Sequence, residues 1–293
     1  MVILTYAKIF VMLNSKVLVS GAEFFALDSP INPYYDNKPV NVQEAMREHS
    51  EIVTNFRDSG MEIIQVSPPS TSQDGVYTAN WGLVRDDKVV LARLPDARKS
   101  EEKYAATILQ NLGLEVIRVP ENWHFSGQGD SLPCGKFLLA GSGYRSDPRT
   151  QKFAAETLGL ELVQLHTVPK LNHEGKPIIN ASSGWPDSFF YDIDLAIAVL
   201  RDDLIAYCPE AFDEESRAKI AELPMEKIEV SYQEATKGLA CNLVSTGEIV
   251  IMSAHAPNLK SEIEKCGLKT TTINAPELAR GGGYIRCVSL TLS

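Results

Sequence analysis

The chain has 293 residues, with 28 basic against 38 acidic side chains and a net charge of −10. No Lys/Arg-rich run offsets that balance, which argues against nucleic acid and anionic membranes as partners and leaves a small molecule as the default ligand. Five cysteines, Cys134, Cys208, Cys241, Cys266 and Cys287, are odd in number and lack CxxC spacing, so neither a disulfide framework nor a zinc knuckle is expected and a reducing cytoplasm fits.

In chain order, residues 9–13 are apolar but too short to span a bilayer, and no small-residue cleavage site follows, so neither anchor nor signal peptide is expected. Met12 is an alternative start, because the first clear strand covers residues 16–20. A unit of helix, glycine and short apolar strand then recurs. The predicted helices are 41–59, 101–112, 148–158, 213–223 and 257–266, and the strands after them 61–66, 114–119, 160–165, 225–230 and 268–273. Four helices end at a glycine suited to a left-handed cap, Gly60, Gly113, Gly159 and Gly267, and the fourth in the series stops at Pro224. Five copies at a period of roughly 45 to 65 residues mean one ββαβ-type module repeated around an axis, a five-bladed α/β propeller. With no Pro/Gly/Ser-rich linker, the expected organisation is an N-terminal extension, 1–15, and a single catalytic-type domain, 16–293.

Each unit is followed by a segment of strand character and high polar content: 75–84, 124–132, 189–200, 238–244 and 281–292. The innermost strand of a propeller blade lines the central channel, so the polar residues of these segments are expected to converge on one cavity. Cys287 sits in the last of them behind three glycines, Gly281 to Gly283, which admit close backbone approach to a ligand. It reads either as a thiolate nucleophile at the channel floor or as a small buried hydrophobe; the other four cysteines read as packing. Asp192 and Asp194, two apart in an apolar strand, are expected on one face, where burial calls for a cationic ligand or a shared proton, the alternative being a strand end that meets backbone N–H groups. His124, two residues before Ser126, reads first as a strand-edge residue bonded to backbone, with an imidazole offered to the cavity as the alternative; His49, His166, His173 and His255 read as surface residues. Residues 167–188 form an insertion whose Trp185 reads either as a lid or as a packing or self-association element. No His/Cys/Asp group has metal-ligand spacing, so no metal or other cofactor is expected.

Taken together these segments resemble the guanidine-modifying superfamily often called penteins: amidinotransferases, arginine deiminases and dimethylarginine dimethylaminohydrolases. The resemblance runs from about Val17 and closes with Gly282-Gly-Tyr-Ile-Arg-Cys287, which looks like the family's approach to its nucleophilic Cys. Ile31-Asn-Pro33 resembles the N-terminal Asn-Pro segment, and Val76-Tyr-Thr-Ala-Asn80 the first substrate strand. Gly141-Ser-Gly-Tyr-Arg-Ser146 resembles the segment whose arginine holds the α-carboxylate of an amino-acid substrate, which implies that role for Arg145. Asp194 falls where the family binds the guanidinium, and Asn80 and Asp130 fall at substrate-binding positions. Two departures stand out. Phe125-Ser-Gly-Gln-Gly-Asp130 carries Ser126 where the family has a guanidinium-gripping Glu, and Phe190-Tyr-Asp-Ile-Asp194 carries Asp192 where it has the acid/base His.

The resemblance implies attack by Cys287 on a guanidine, amidine or related carbon of a small amino acid, with hydrolysis or amidino transfer. Asp192 would be the altered acid/base, active only if its pKa is raised, and a carboxylate beside Cys287 would itself raise the thiol pKa. A non-catalytic propeller that binds an arginine-like metabolite or a protein partner is the alternative, and homo-oligomerisation is left open.

Overall fold

A computed structural model describes residues 12–36, 38–181 and 183–293. The chain begins with β1 (Lys16–Val19), α1 (Val42–Asp58) and β2 (Glu62–Gln65). Three ββαβ units follow: β3 (Gly82–Arg85), β4 (Lys88–Leu91), α2 (Ser100–Asn111) and β5 (Glu115–Arg118); β6 (Ser131–Cys134), β7 (Phe137–Ser142), α3 (Pro148–Leu158) and β8 (Glu161–His166); β9 (Ile197–Arg201), β10 (Leu204–Tyr207), α4 (Glu214–Glu222) and β11 (Glu226–Glu229). A short α5 (Tyr232–Lys237) precedes β12 (Val244–Ser245), β13 (Ile249–Ser253), α6 (Pro257–Lys265) and β14 (Lys269–Ile273), and α7 (Pro276–Ala279) leads to β15 (Leu290–Thr291).

These strands make five three-stranded sheets of one topology: β15-β1-β2, β3-β4-β5, β6-β7-β8, β9-β10-β11 and β12-β13-β14. In each, the inner strand lies antiparallel to the middle one, and the outer strand returns parallel to it after a helical crossover, as parallel pairing requires. The first sheet joins both ends of the repeat, Val17 pairing with Thr291. Inner strands touch their neighbours, β15 against β3, β6 against β9 and β9 against β12, so the module predicted from the period is the module observed. This is the pentein fold.

Local chemistry explains the elements. The Asn41 side chain caps α1 by accepting from Glu44 N, and Asp213 and Ser231 do the same for α4 and α5. Gly60, Gly113, Gly159 and Gly267 all hold positive φ, as their placement after helices predicts. α1 turns Ala45, Ile52, Val53 and Phe56 inward, while its buried Glu48 accepts from Glu277 N and Leu278 N at the start of α7. The middle strands are almost wholly buried, covered by neighbours on both edges and by helices.

Two expectations change. The polar segments are strands only at their C-terminal ends. Ahead of β3, β6 and β9 the chain makes 3₁₀ turns at Thr78–Trp81, Gly127–Gly129 and Ile193–Leu195. The turns aim several polar side chains at one point, which a straight strand cannot do. Residues 12–15 are not a free extension: Leu13 N donates to Thr246 O and Asn14 Nδ2 to Ser245 O. Residues 1–11 lie outside the described residues. Among the described residues no helix is long and apolar enough to cross a membrane.

Candidate active site

Turns leading into the inner strands bring the predicted Asn80, Ser126, Asp192, Asp194 and Cys287 together, and Arg145 joins them from the segment after β7. Cys287 lies on the turn before β15, 2% exposed. Its Sγ donates to Asp194 Oδ2 at 3.3 Å and accepts from Asn242 Nδ2 at 3.1 Å. The Oδ1 of Asn242 gathers the backbone N–H groups of Tyr284, Arg286 and Cys287 at 3.0, 3.1 and 3.2 Å, so a single side chain from the loop before β12 folds the cysteine turn and touches its sulfur. Sequence reasoning missed Asn242; its signal was one polar residue in the otherwise apolar run 239–244. Gly282 holds φ +83°, and a Cβ there would come within 2.7 Å of Asn32 Oδ1 and 2.8 Å of the Tyr191 hydroxyl. Only glycine fits the approach to Cys287.

Asp192 and Asp194 do not share a face, contrary to the strand reading. Asp192 is extended, while Asp194 belongs to the Ile193–Leu195 turn. The turn splits them: Asp194 goes to Cys287, and Asp192 goes to the second polar segment. Asp192 Oδ1 accepts from Ser126 Oγ at 2.8 Å, its Oδ2 accepts from Asn80 Nδ2 at 2.8 Å, and Arg145 Nη1 lies 3.6 Å from Oδ2. The short Ser126 side chain leaves room for a carboxylate that arrives from the neighbouring unit. Arg145 stacks over the Tyr191 ring at 4.0 Å and donates to Ile31 O. Asp130 accepts from Ile193 N at 3.0 Å and so fastens the turn that carries Asp194.

Asn80 is itself held from behind. Its Oδ1 accepts from Arg98 Nη1 at 2.6 Å, which turns its amide nitrogen toward Ser126 and Asp192. Arg98 and Glu101 form a buried bidentate pair at 2.7 and 2.8 Å. Trp81 Nε1 and Ser72 Oγ donate to Glu101, and Arg98 Nη2 also donates to Asp74 O and Tyr77 O. Around Cys287 this leaves a cleft of about 10 Å³ lined by Asn32, Tyr77, Asn80, Arg145 and Tyr191.

Burial governs the titration. Asp194 is pushed up to about 8, first by burial and then by the neighbouring Asp192, against the pull of Arg286, Cys287 and Asn242. The Cys287 thiol is raised well above its ordinary value by burial, then by Asp194 and Asp192. Asp130 is raised by burial and then by Asp192. Arg286 is lowered by burial; its Nη2 donates to Gln128 Oε1 at 2.8 Å.

The remaining candidates fall outside. His124 is exposed, 3.7 Å from Asp147, with its ring 5.0 Å from Trp185, because the chain turns between it and Ser126. It brings no imidazole to Cys287. Trp185 lines a hollow of about 290 Å³ with Arg93, Lys99 and His124 rather than the cysteine cleft. His49, expected at the surface, is buried on α1, and burial lowers its pKa to about 4. Cys134, Cys208 and Cys241 are buried, and burial raises all three thiols. Among the described residues no group of three or more His, Cys, Asp or Glu is arranged to hold a metal ion.

Comparison with known proteins agrees with this architecture. A dimethylarginine dimethylaminohydrolase from Mycobacterium tuberculosis is 31% identical over 92% of this chain and 83% of its own length. The bifunctional arginine dihydrolase/ornithine cyclodeaminase ArgZ of Synechocystis is 26% identical, and this chain spans 38% of its length. Solved structures of the ArgZ N-terminal domain, one bound to substrate and one carrying a covalent reaction intermediate, superpose with a TM-score of 0.85 over 95% of this chain and 97 to 98% of theirs. A crystal structure of a dimethylarginine dimethylaminohydrolase adduct shares the fold at a TM-score of 0.71. The family model for eukaryotic N,N-dimethylarginine dimethylhydrolase matches residues 28–292, and the chain belongs to that family of guanidine-modifying enzymes.

Proposed function

We propose that Cys287 attacks the guanidine, amidine or related carbon of a small amino acid, and that Asp194 carries the proton that the family's histidine would carry. The observation behind this reading is the 3.3 Å contact from the thiol to the Asp194 carboxyl, which burial pushes up to about 8. The thiol proton passes to ionised Asp194 as the S–C bond forms. It then goes to the departing nitrogen as that C–N bond breaks. Water adds to the carbon, the C–S bond breaks, one water proton returns to sulfur and the other goes to the released amine. Asp192 serves this chemistry through its charge, which keeps Asp194 protonatable near neutrality, and with Asn80 and Ser126 it faces the cationic head. Arg145 balances Asp192 and is the cation available to a substrate carboxylate, while Asp130 fixes the turn.

A cationic head entering the cleft lowers both acids, so activity should rise with pH as Asp194 ionises toward pH 8. The rest of the proposal is residues 16–293 as one catalytic domain, a cytoplasmic setting inferred from the free cysteines, and self-association through the 167–188 insertion, which exposes Leu171 and Ile179. Light scattering on the purified protein reads that last point.

The test is mass spectrometry of products from arginine, methylated arginines, agmatine and guanidinoacetate, with and without glycine or ornithine as acceptor, for the native protein and Cys287→Ala. Ureido or new guanidino products from the native protein alone support the reading. The neutral thiol and the small cleft favour one rival, a binding protein without turnover. Equal ligand binding by both proteins with no product would establish that rival.

A further inference from the structure

The inner strands run from the cysteine site toward a second cavity of about 400 Å³, walled in part by Leu132, Pro133, Ile197, Val199 and Leu243, with Gln128, Arg286 and Asp194 among its polar groups beside Arg85, Asp86 and Asp202. It shares no lining residue with the Cys287 cleft. Its volume is that of a small-ligand site. Asp194, 1% exposed, joins the two spaces: its Oδ2 bonds the thiol, while its Oδ1 has no hydrogen-bond partner among the described residues. Once Asp194 is ionised, a buried carboxylate oxygen left unpartnered is costly, so a donor there is favoured. Arg286 supplies the complementary group. It is buried and makes no ion pair among the described residues, its Nη atoms resting on Gln128 Oε1, Ser289 O and Thr291 Oγ1.

We infer that this cavity is a second ligand site, for a compact apolar molecule bearing a primary carboxamide, and that its occupancy is felt at Cys287. The amide N–H meets Asp194 Oδ1, its carbonyl meets the Arg286 guanidinium, and the apolar body lies against β6 and β9. Above about pH 8, where Asp194 is ionised, a carboxylate in the same place would abut Asp194 and an ammonium would abut Arg286, so the neutral head is selected against both. Because Asp194 bridges to sulfur, a donor on its far oxygen changes the proton-holding of the Asp194–Cys287 pair.

Benzamide is the probe, with benzoate and benzylamine as charged counterparts of the same shape, followed at about pH 8.5, where most of Asp194 is ionised, by calorimetry and by iodoacetamide labelling of Cys287. The site is supported if benzamide binds at least about tenfold tighter than either counterpart and Cys287→Ala retains that binding. It also requires that Val199→Phe and Pro133→Phe, on separate strands, each weaken binding at least tenfold, and that saturating benzamide changes the labelling rate at least threefold. Absence of binding at 10 mM (about the weakest affinity of interest) overturns it. So does loss of binding in Cys287→Ala, which would put benzamide in the cysteine cleft. Indifference to both phenylalanine variants, or an unchanged labelling rate, overturns it too. None of these readouts depends on turnover, so the site stands or falls apart from the proposed reaction.

Discussion

Two buried charge clusters meet at Asn80 and are built in opposite ways. Behind it, Arg98 and Glu101 satisfy each other bidentately, and the spare hydrogen-bonding capacity of both is taken by Asn80, Trp81, Ser72 and two backbone carbonyls. In front of it, Asp192, Asp194, Arg145 and Arg286 are brought together without a bidentate pair, and Asp194 Oδ1 has no partner among the described residues. The first cluster is a completed strut. The second holds carboxyl groups in a low-dielectric space with capacity to spare, which is where protons move and ligands are recognised.

That contrast can be broken most forcefully at Arg98. Replacing it with Leu leaves Glu101 buried and unpaired and should cost about 3–5 kcal/mol in urea denaturation. If the strut matters only locally, the loss will be far smaller. Asp194→Asn should do the reverse under alkaline conditions. The raised folded-state pKa means that its contribution to stability is full below about pH 4 and is lost as pH rises through about 8. Across that window native stability should fall by up to about 1.4 kcal/mol per pH unit, and the variant should show a flatter profile. A native profile already flat between pH 5 and 8 would remove Asp194 from the proton-carrying role. Asn242→Ala strips the acceptor from three backbone donors and should cost about 1–3 kcal/mol, with altered Cys287 labelling even where the fold survives. The smallest stability effect is expected for Cys287→Ala, within about 1 kcal/mol by chemical denaturation, because a functional thiol carries little of the packing. A loss several times larger would mark the cysteine as structural.

The repeat was legible because helix amphipathicity and glycine caps are local signals: the helices at 148–158 and 257–265 lie where the period puts them, within a residue. Cys287 and Asp194 were legible through their glycine-rich and acidic surroundings, and the two meet. The direction of each side chain was not. Nothing local in Ile193-Asp194-Leu195 separates alternation along a strand from winding in a 3₁₀ turn, so Asp192 and Asp194 looked parallel. The Ser126 to Asp192 contact joins two successive units, 66 residues apart, and neither residue alone reveals that the carboxylate facing Asn80 arrives from another sheet. Asn242 shows its importance only when three backbone donors close around it.

Pairing the first sheet's β1 with β15 has a temporal consequence. That contact has nearly the longest sequence separation in the molecule, so its loop-closure entropy is met late in folding. Cys287 rides on the segment that makes it, and Asn242 and Asp194 have to be in place to receive it. During synthesis four sheets can form with the thiol still unmade or undocked. The proposed nucleophile is thus placed only by completion of the ring, and a chain stalled or clipped before that point carries the scaffold without the cysteine site.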